Sequence, residues 1–397
     1  MKFADKQNCT GCGACYSICP TRCILMIPDT EGFLYPTVDG KNCTGCTKCE
    51  EICPSIVQGI MRKPLKVYAA KNLDEEIRYQ SSSGGIFTLL AEYVIKEDGV
   101  VFGALFNDAW EVVHDYTEAE EGLAAFRGSK YVQSIIGDTF VRTKEFLQNG
   151  RKVLYSGTPC QIAGLKGFLR KEYDNLLTID FVCHGVPSPL VWRKYLTEIS
   201  AFMNVYKICN IKFRSKKHGW RCDHLYYEYI LSNNEKMLCS FTGDKNEYYR
   251  GFIQGLFTRL SCHSCPVRSL KSGSDITIAD YWGIQNVLPE FDDGKGISLV
   301  MVVTEKGKNI YNLLNVACEE TSYNEALVCN RNIDISAPPH LKRAFFFKHW
   351  NNVPVISLIA KLTLDPLQVR LRRRIVILLQ QLGLLVFIKS LLNGDPK

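Results

Sequence analysis

The sequence predicts an α/β main domain, α+β in character, built on a mixed sheet. A small cysteine-rich unit precedes it and a helical, basic tail follows. Three observations lead there. A cysteine phrase occurs twice before residue 60, short apolar runs alternate with helix-length stretches from about Val67 onward, and the excess positive charge gathers at the C-terminal end.

The first unit, residues 1–60, reads NCTGCGACYSICP from Asn8 and NCTGCTKCEEICP from Asn42. Each copy fits C-x2-C-x2-C-x3-C-P, the bacterial ferredoxin spacing, in which the fourth cysteine ligates the other cluster. One 4Fe-4S cluster is therefore assigned to Cys9, Cys12, Cys15 and Cys53, and a second to Cys43, Cys46, Cys49 and Cys19. Zinc does not need two interlocking sets of thiolates with prolines behind them. Cys23 is an extra thiol nearby, read as a packed residue. Paired clusters make an electron relay; clusters serving only as folding staples are a weaker reading.

After the link MRKPLK at 61–66 the texture changes. VYAAK reads as a strand, SSSGG at 81–85 as a turn, and IFTLLAEYVIK as a helix. GVVFGALF and WEVVHDY read as strands, and the stretch after Ile135 as a helix. KVLYSGTPC then QIAGLKGFLRK, and LLTIDFVC then the CHGVPSP turn, repeat the strand, loop, helix theme. That order calls for an α/β architecture with a mixed sheet. Residues 206–257 read as β-hairpins, and SDITIADYWG and ISLVMVVT return to strand character. The working division is 1–60, 67–150, 151–330 and a tail at 331–397.

The net charge is +7. Residues 341–397 hold ten Lys and Arg against Asp365 and Asp395, whereas the remainder has 38 basic and 39 acidic residues. The basicity belongs to the tail, which argues for an acidic surface such as lipid headgroups and against nucleic acid as a partner. The run IVILLQQLGLLVFI at 375–388, behind Arg372, Arg373 and Arg374, is shorter than the ~20 apolar residues of a membrane span. It is expected to pack on the body or to lie in a membrane interface. With eighteen cysteines and no apolar leader-like run after MKFADKQNC, the expected compartment is the reducing cytoplasm, with peripheral contact at the inner face of the membrane through the tail.

A second cysteine group stands apart: Cys160 in SGTPCQ, Cys183 in DFVCHGVPSP, and Cys262 with Cys265 in SCHSCP. Four thiolates suffice for a third 4Fe-4S cluster or a structural zinc, and spacing leaves both open, with free thiols as a further reading. Two turns could hold a phosphate: SSSGG, with Ser83, Gly84 and Gly85 at the start of a helix, and FRGSKY, with Arg127, Ser129 and Lys130. Neither matches GxGxxG, and an N-capped helix and a solvated loop are the plain alternatives. No Ser/His/Asp arrangement is evident, and His184, His218, His224 and His263 read as ordinary polar residues.

Taken together, RYQSSSGGIFTLLAEYVI, FRGSKYVQS, YSGTPCQIAGLKGFL, DFVCHGVPSP, CHSCP and SDITIADYWG resemble the coenzyme F420 hydrogenase/dehydrogenase beta-subunit family, from about Arg78 to Thr304. The resemblance implies FAD and a third 4Fe-4S cluster, with Cys160, Cys183, Cys262 and Cys265 as its ligands. It also implies flavin contacts at Ser83, Gly84, Gly85, Arg127, Ser129 and Lys130, with Thr158 and Gln161 near the isoalloxazine. Catalysis is then assigned to the flavin, and no side chain is named as acid or base. The expected function is an iron-sulfur flavoprotein oxidoreductase. It passes electrons between ferredoxin-type clusters and flavin, with hydride transfer to or from a small molecule, coenzyme F420 or another acceptor. Ferredoxin or another redox protein is the expected partner. The alternative is an electron-transfer subunit relaying to a separate catalytic chain.

Overall fold

The computed structural model describes residues 4–222 and 224–364. The charged and apolar segments expected at Arg372–Arg374 and 375–388 lie outside the described residues, as do six of the ten basic residues of 341–397. No helix among the described residues is long and apolar enough to cross a membrane.

The N-terminal unit contains one small antiparallel pair, β1 (Ile24–Pro28) and β2 (Leu34–Val38), and two short helices, Ala14–Ile18 and Lys48–Glu51. The two cysteine phrases fold alike because each helix starts from a left-handed residue. Gly13 has φ 79° and its counterpart Thr47 has φ 59°. A second left-handed glycine, Gly11 or Gly45, sits between the first two cysteines of each copy.

The main sheet has eight strands: β3 (Lys66–Asn72), β4 (Val100–Phe106), β5 (Val112–Thr117), β6 (Val153–Gly157), β7 (Leu176–Phe181), and, after a separate small sheet, β11 (Ile276–Asp280), β12 (Ser298–Val302) and β13 (Val316–Thr321). Their spatial order is β13-β3-β12-β11-β7-β6-β4-β5. The central strands β4, β6, β7 and β11 run parallel, and antiparallel neighbours close both ends, so the sheet is mixed. Strands from 67–150 and from 151–330 share one sheet, with β3 of the first stretch set between β13 and β12 of the second, which joins the two stretches into one body. β12 is buried at every position and β7 at all but its last, as strands covered on both faces must be.

One face is covered by helix Ile86–Lys96 through Leu90, Ala91 and Val94. The other carries helices Thr139–Gln148 and Pro159–Leu169, and the same cluster takes in Cys12, Ala14 and Ile52 of the N-terminal unit. Between β7 and β11 the chain leaves the main sheet to form β8 (Val205–Lys212), β9 (His224–Leu231) and β10 (Lys236–Thr242), an antiparallel sheet in the order β10-β9-β8. Helix Pro189–Phe202 covers it, started by Ser188, whose hydroxyl accepts from Val191 N, and by Pro189 at the first helical position. Helices Glu247–Ile253, Arg343–His349 and Val355–Thr363 complete an aromatic core around Trp192, Tyr195, Tyr227 and Tyr248. The hairpin reading of 206–257 holds for these strands and ends at Glu247, where Asn246 caps a helix.

Candidate functional site

The N-terminal thiols fall into two neighbourhoods. Burial, with Cys9 and Cys53 close by, pushes the Cys15 thiol up to about 12. Burial also raises Cys12, with Cys15, Cys160 and Cys53 as its thiol neighbours. Cys9, Cys12, Cys15 and Cys53 thus lie together, the fourth supplied by the other phrase. Cys19, Cys43 and Cys49 pack together with Cys23, Cys15 borders both groups, and Cys46 lies beside Cys49. Cys23 is buried, its Sγ 3.4 Å from Cys19 Sγ. The second neighbourhood is the outer one: Cys46 is exposed and the space beside Gly45 is open.

Cys160, Cys183, Cys262 and Cys265 also converge. The fold achieves this because β6 and β7 are adjacent and parallel, so the loops after them open on the same edge. Cys160 follows β6 at the start of helix Pro159–Leu169, and Cys183 follows β7. The turn carrying Cys262 is tied to the Cys183 loop by the Pro187–Thr258 bridge and by Arg259 N donating to Val186 O at 3.0 Å. Burial pushes Cys160, Cys183 and Cys262 each up to about 12, reinforced by the neighbouring thiols of the same group.

Among the described residues, no three His, Cys, Asp or Glu side chains close on a single ion. A mononuclear zinc would draw four sulfurs to about 2.3 Å from one point. Four thiols form a donor set that fits iron-sulfur chemistry and a structural zinc alike.

Beside Cys183 opens a cavity of about 640 Å³, a volume typical of cofactor sites. All the residues expected to contact flavin line it except Gly84. Gly84 packs on the sheet instead: a Cβ there would meet Ala70 O at 2.3 Å and Ser298 N at 2.7 Å. The two turns join, because Ser82 Oγ accepts from Ser129 N at 2.8 Å and lies 2.9 Å from Ser129 Oγ. Ser83 Oγ donates to Ile297 O, and Arg127 Nη1 donates to Gln80 Oε1. Gly85, φ 83°, starts helix Ile86–Lys96. Gln161 and Thr158 form a capping box, and Gln161 Nε2 reaches Ser134 Oγ at 2.8 Å. Thr158 Oγ1 lies 3.2 Å from Cys160 Sγ. Lys130 Nζ donates to the carbonyls of Phe126, Arg127 and Gly128, and burial pushes its pKa down to about 7.

Two models, for the N-terminal and C-terminal parts of the coenzyme F420 hydrogenase/dehydrogenase beta subunit, match residues 67–139 and 150–325, and a 4Fe-4S dicluster domain model matches residues 8–57. The chain belongs to the coenzyme F420 hydrogenase/dehydrogenase beta-subunit family. It is thus an iron-sulfur, electron-transfer protein of an oxidoreductase family. No curated protein matches the sequence significantly. Among solved structures it is similar to a chain of the F420-reducing NiFe hydrogenase complex from Methanosarcina barkeri. They share 17% identity over 69% of this chain and 90% of that one, with a TM-score of 0.41, a likeness too loose to support a functional argument.

This beta-subunit family member holds further cavity residues that reading the sequence passed over. His114, 7% exposed, donates from Nε2 to Ser156 O at 3.0 Å, which leaves Nδ1 a bare acceptor, and it has no partner. Burial pushes its pKa down to about 4, so the ring is neutral. A buried acceptor without a donor costs about 1–3 kcal/mol. Asp280 accepts from Arg214 Nη1 at 2.8 Å and from Trp220 Nε1 at 3.1 Å, and Trp282 stacks on Trp220. His114 sits inside WEVVHDY, where strand alternation masks it, whereas Asp280 and Trp282 belong to SDITIADYWG and were legible there as a motif without a role. His184 lines the cavity too, with Nε2 bonded to Ile253 O and Nδ1 facing Asn332 Nδ2.

Proposed function

We propose that this chain is an FAD-dependent iron-sulfur oxidoreductase that exchanges electrons at its surface and a hydride with a small molecule in the cavity. The observation that carries the reading is the shared wall: one cavity is lined both by the bonded Ser82 and Ser129 turns and by Cys183 of the four-thiol group. Cys160, Cys183, Cys262 and Cys265 would hold a third 4Fe-4S cluster, and the two turns would hold the flavin phosphates. Bound flavin supplies the exchange between single electrons and a hydride.

The chain's own residues supply the route and the pocket. Cys46 would offer the outer cluster to a redox partner such as ferredoxin, since it is exposed. Cys12, packed near Cys160, would bring the inner cluster up to the third. Lys130, its three N–H groups engaged by its own turn, would act as a positive charge behind the phosphate-binding loop. Coenzyme F420 is one acceptor of the size and chemistry this cavity would serve, among other small molecules.

Anaerobic protein should contain about twelve irons and one FAD per chain, as three cubanes imply. About eight irons without flavin, in fully loaded protein, would replace this reading by a relay subunit that works through a separate catalytic chain. The exposed Cys46 edge suits either role, and turnover by the isolated chain with a chemical one-electron donor separates them.

Flavin affinity should also depend on Lys130. Below its free pKa of about 7 the group is a cation and favours the bound phosphate; above it the free protein must first take up a proton. Affinity is therefore expected to fall as pH rises through about 7, by up to about tenfold per unit. Lys130→Gln should flatten the profile, as read by fluorescence of released flavin; a flat wild-type profile would remove Lys130 from the site.

A further inference from the structure

Arg259 is the most deeply buried cation near the thiols, with no exposed surface. Its Nε donates to Cys9 O at 2.8 Å, Nη1 to Gln133 Oε1 at 3.1 Å and Nη2 to Leu34 O at 3.0 Å, and Nη2 lies 3.6 Å from Cys9 Sγ. The guanidinium stands over the Tyr35 ring at 4.2 Å. Gln133 completes the clasp by donating from Nε2 to Thr10 O at 3.1 Å. Gly11 is required for the approach, since a Cβ there would sit 2.7 Å from Arg259 Nη1. Among the described residues, no carboxylate is paired with this arginine.

A buried guanidinium surrounded only by neutral acceptors is costly, and its counter-charge has to come from somewhere. A cluster held by four thiolates is a net anion and gains a further negative charge on reduction. The same arginine starts the turn that carries Cys262, and its charge acts on Cys160 and Cys262 as well. It therefore stands between the inner N-terminal thiol group and the four-thiol group of the main domain.

We propose that Arg259 is the counter-charge of the inner cluster held by Cys9, Cys12, Cys15 and Cys53, raising that cluster's reduction potential above the outer one. In the step this favours, one electron leaves the outer cluster and reduces the inner one. No bond forms, and arginine keeps its proton. Arg259 is thus a positioning and tuning residue, acting through the cluster. The inference rests on the assignment of those four cysteines to a cluster, which the iron content and EPR signals of wild-type protein test by themselves.

The experiment is a potentiometric titration followed by EPR on full-length, fully loaded protein. In Arg259→Gln, reduction of one N-terminal cluster should become at least about tenfold less favourable, a fall of about 59 mV or more in its midpoint. Arg259→Lys, which keeps the charge, should fall less. Gln133→Glu should lower the same midpoint by pairing with the guanidinium while leaving it in place. Wild-type midpoints in loaded Arg259→Gln protein would overturn the proposal. So would an equal fall in Arg259→Lys, which would make the fork's geometry responsible. Loss of the inner cluster alone in both Arg259→Gln and Gln133→Glu would likewise overturn it, leaving a structural clasp.

Discussion

Cys183→Ala is expected to yield protein with about eight irons where the wild type holds about twelve, and to isolate the cavity from the N-terminal clusters. Cys183 is the residue shared by the four-thiol group and the cavity wall, so its loss removes a ligand at the point where the two meet. The loop itself should persist, since Val182 N bonds to Ile278 O and Gln133 N to Pro187 O without using the thiol. Flavin should therefore still bind, while its reduction by electrons delivered to the outer cluster should be lost. Iron analysis and anaerobic stopped-flow absorbance read the two effects separately. Unchanged iron would sink the third cluster, and unchanged flavin reduction in iron-depleted protein would sink the path.

The second large effect is expected at Gly164. Helix Pro159–Leu169 meets the N-terminal unit along Gly164 and Gly167, one turn apart. A Cβ at Gly164 would lie 2.9 Å from Cys12 Sγ and 3.1 Å from Cys12 Cβ; one at Gly167 would lie 2.6 Å from Ile52 O. The contacts are to a ligand residue and to backbone, neither free to yield. Gly164→Leu would overpack the contact by about 1–3 kcal/mol, and each 1.4 kcal/mol moves the docked-to-undocked ratio about tenfold. The substitution improves helix propensity by up to about 1 kcal/mol, so the main domain should not lose stability. Irons and flavin should be retained while flavin reduction through the N-terminal clusters slows by about tenfold or more, with Gly164→Ala in between. Wild-type rates in Gly164→Leu would show that this docking does not carry the electron path.

The eight N-terminal cysteines were legible because their chemistry is written in local spacing, and the left-handed Gly13 and Thr47 repeat the same turn in both copies. The strands flanking Cys160 and Cys183 were legible from short apolar runs, and the mixed sheet from their order. The helix Pro189–Phe202 was legible only as the unbounded last part of a strand, loop, helix theme after GVPSP, although Ser188 and Pro189 are its start signals. Gly84 shares its motif with Gly85, and the motif alone does not say which of the two faces the cavity and which packs on β3 and β12.

Sequence by itself determined which residues could ligate iron, which turns could receive phosphate, and the alternation that makes a mixed α/β sheet, because each depends on chemistry within a few neighbouring positions. Tertiary structure alone decided that Cys12 comes up to Cys160, that the turns at 81–85 and 126–131 share one cavity with Cys183, and that Arg259 lies against Cys9 with no carboxylate partner among the described residues. Those meetings join residues as far apart as 250 positions. They arise from parallel pairing of β6 and β7 and from two glycines on one helix face, and such packing leaves no periodic trace in the chain.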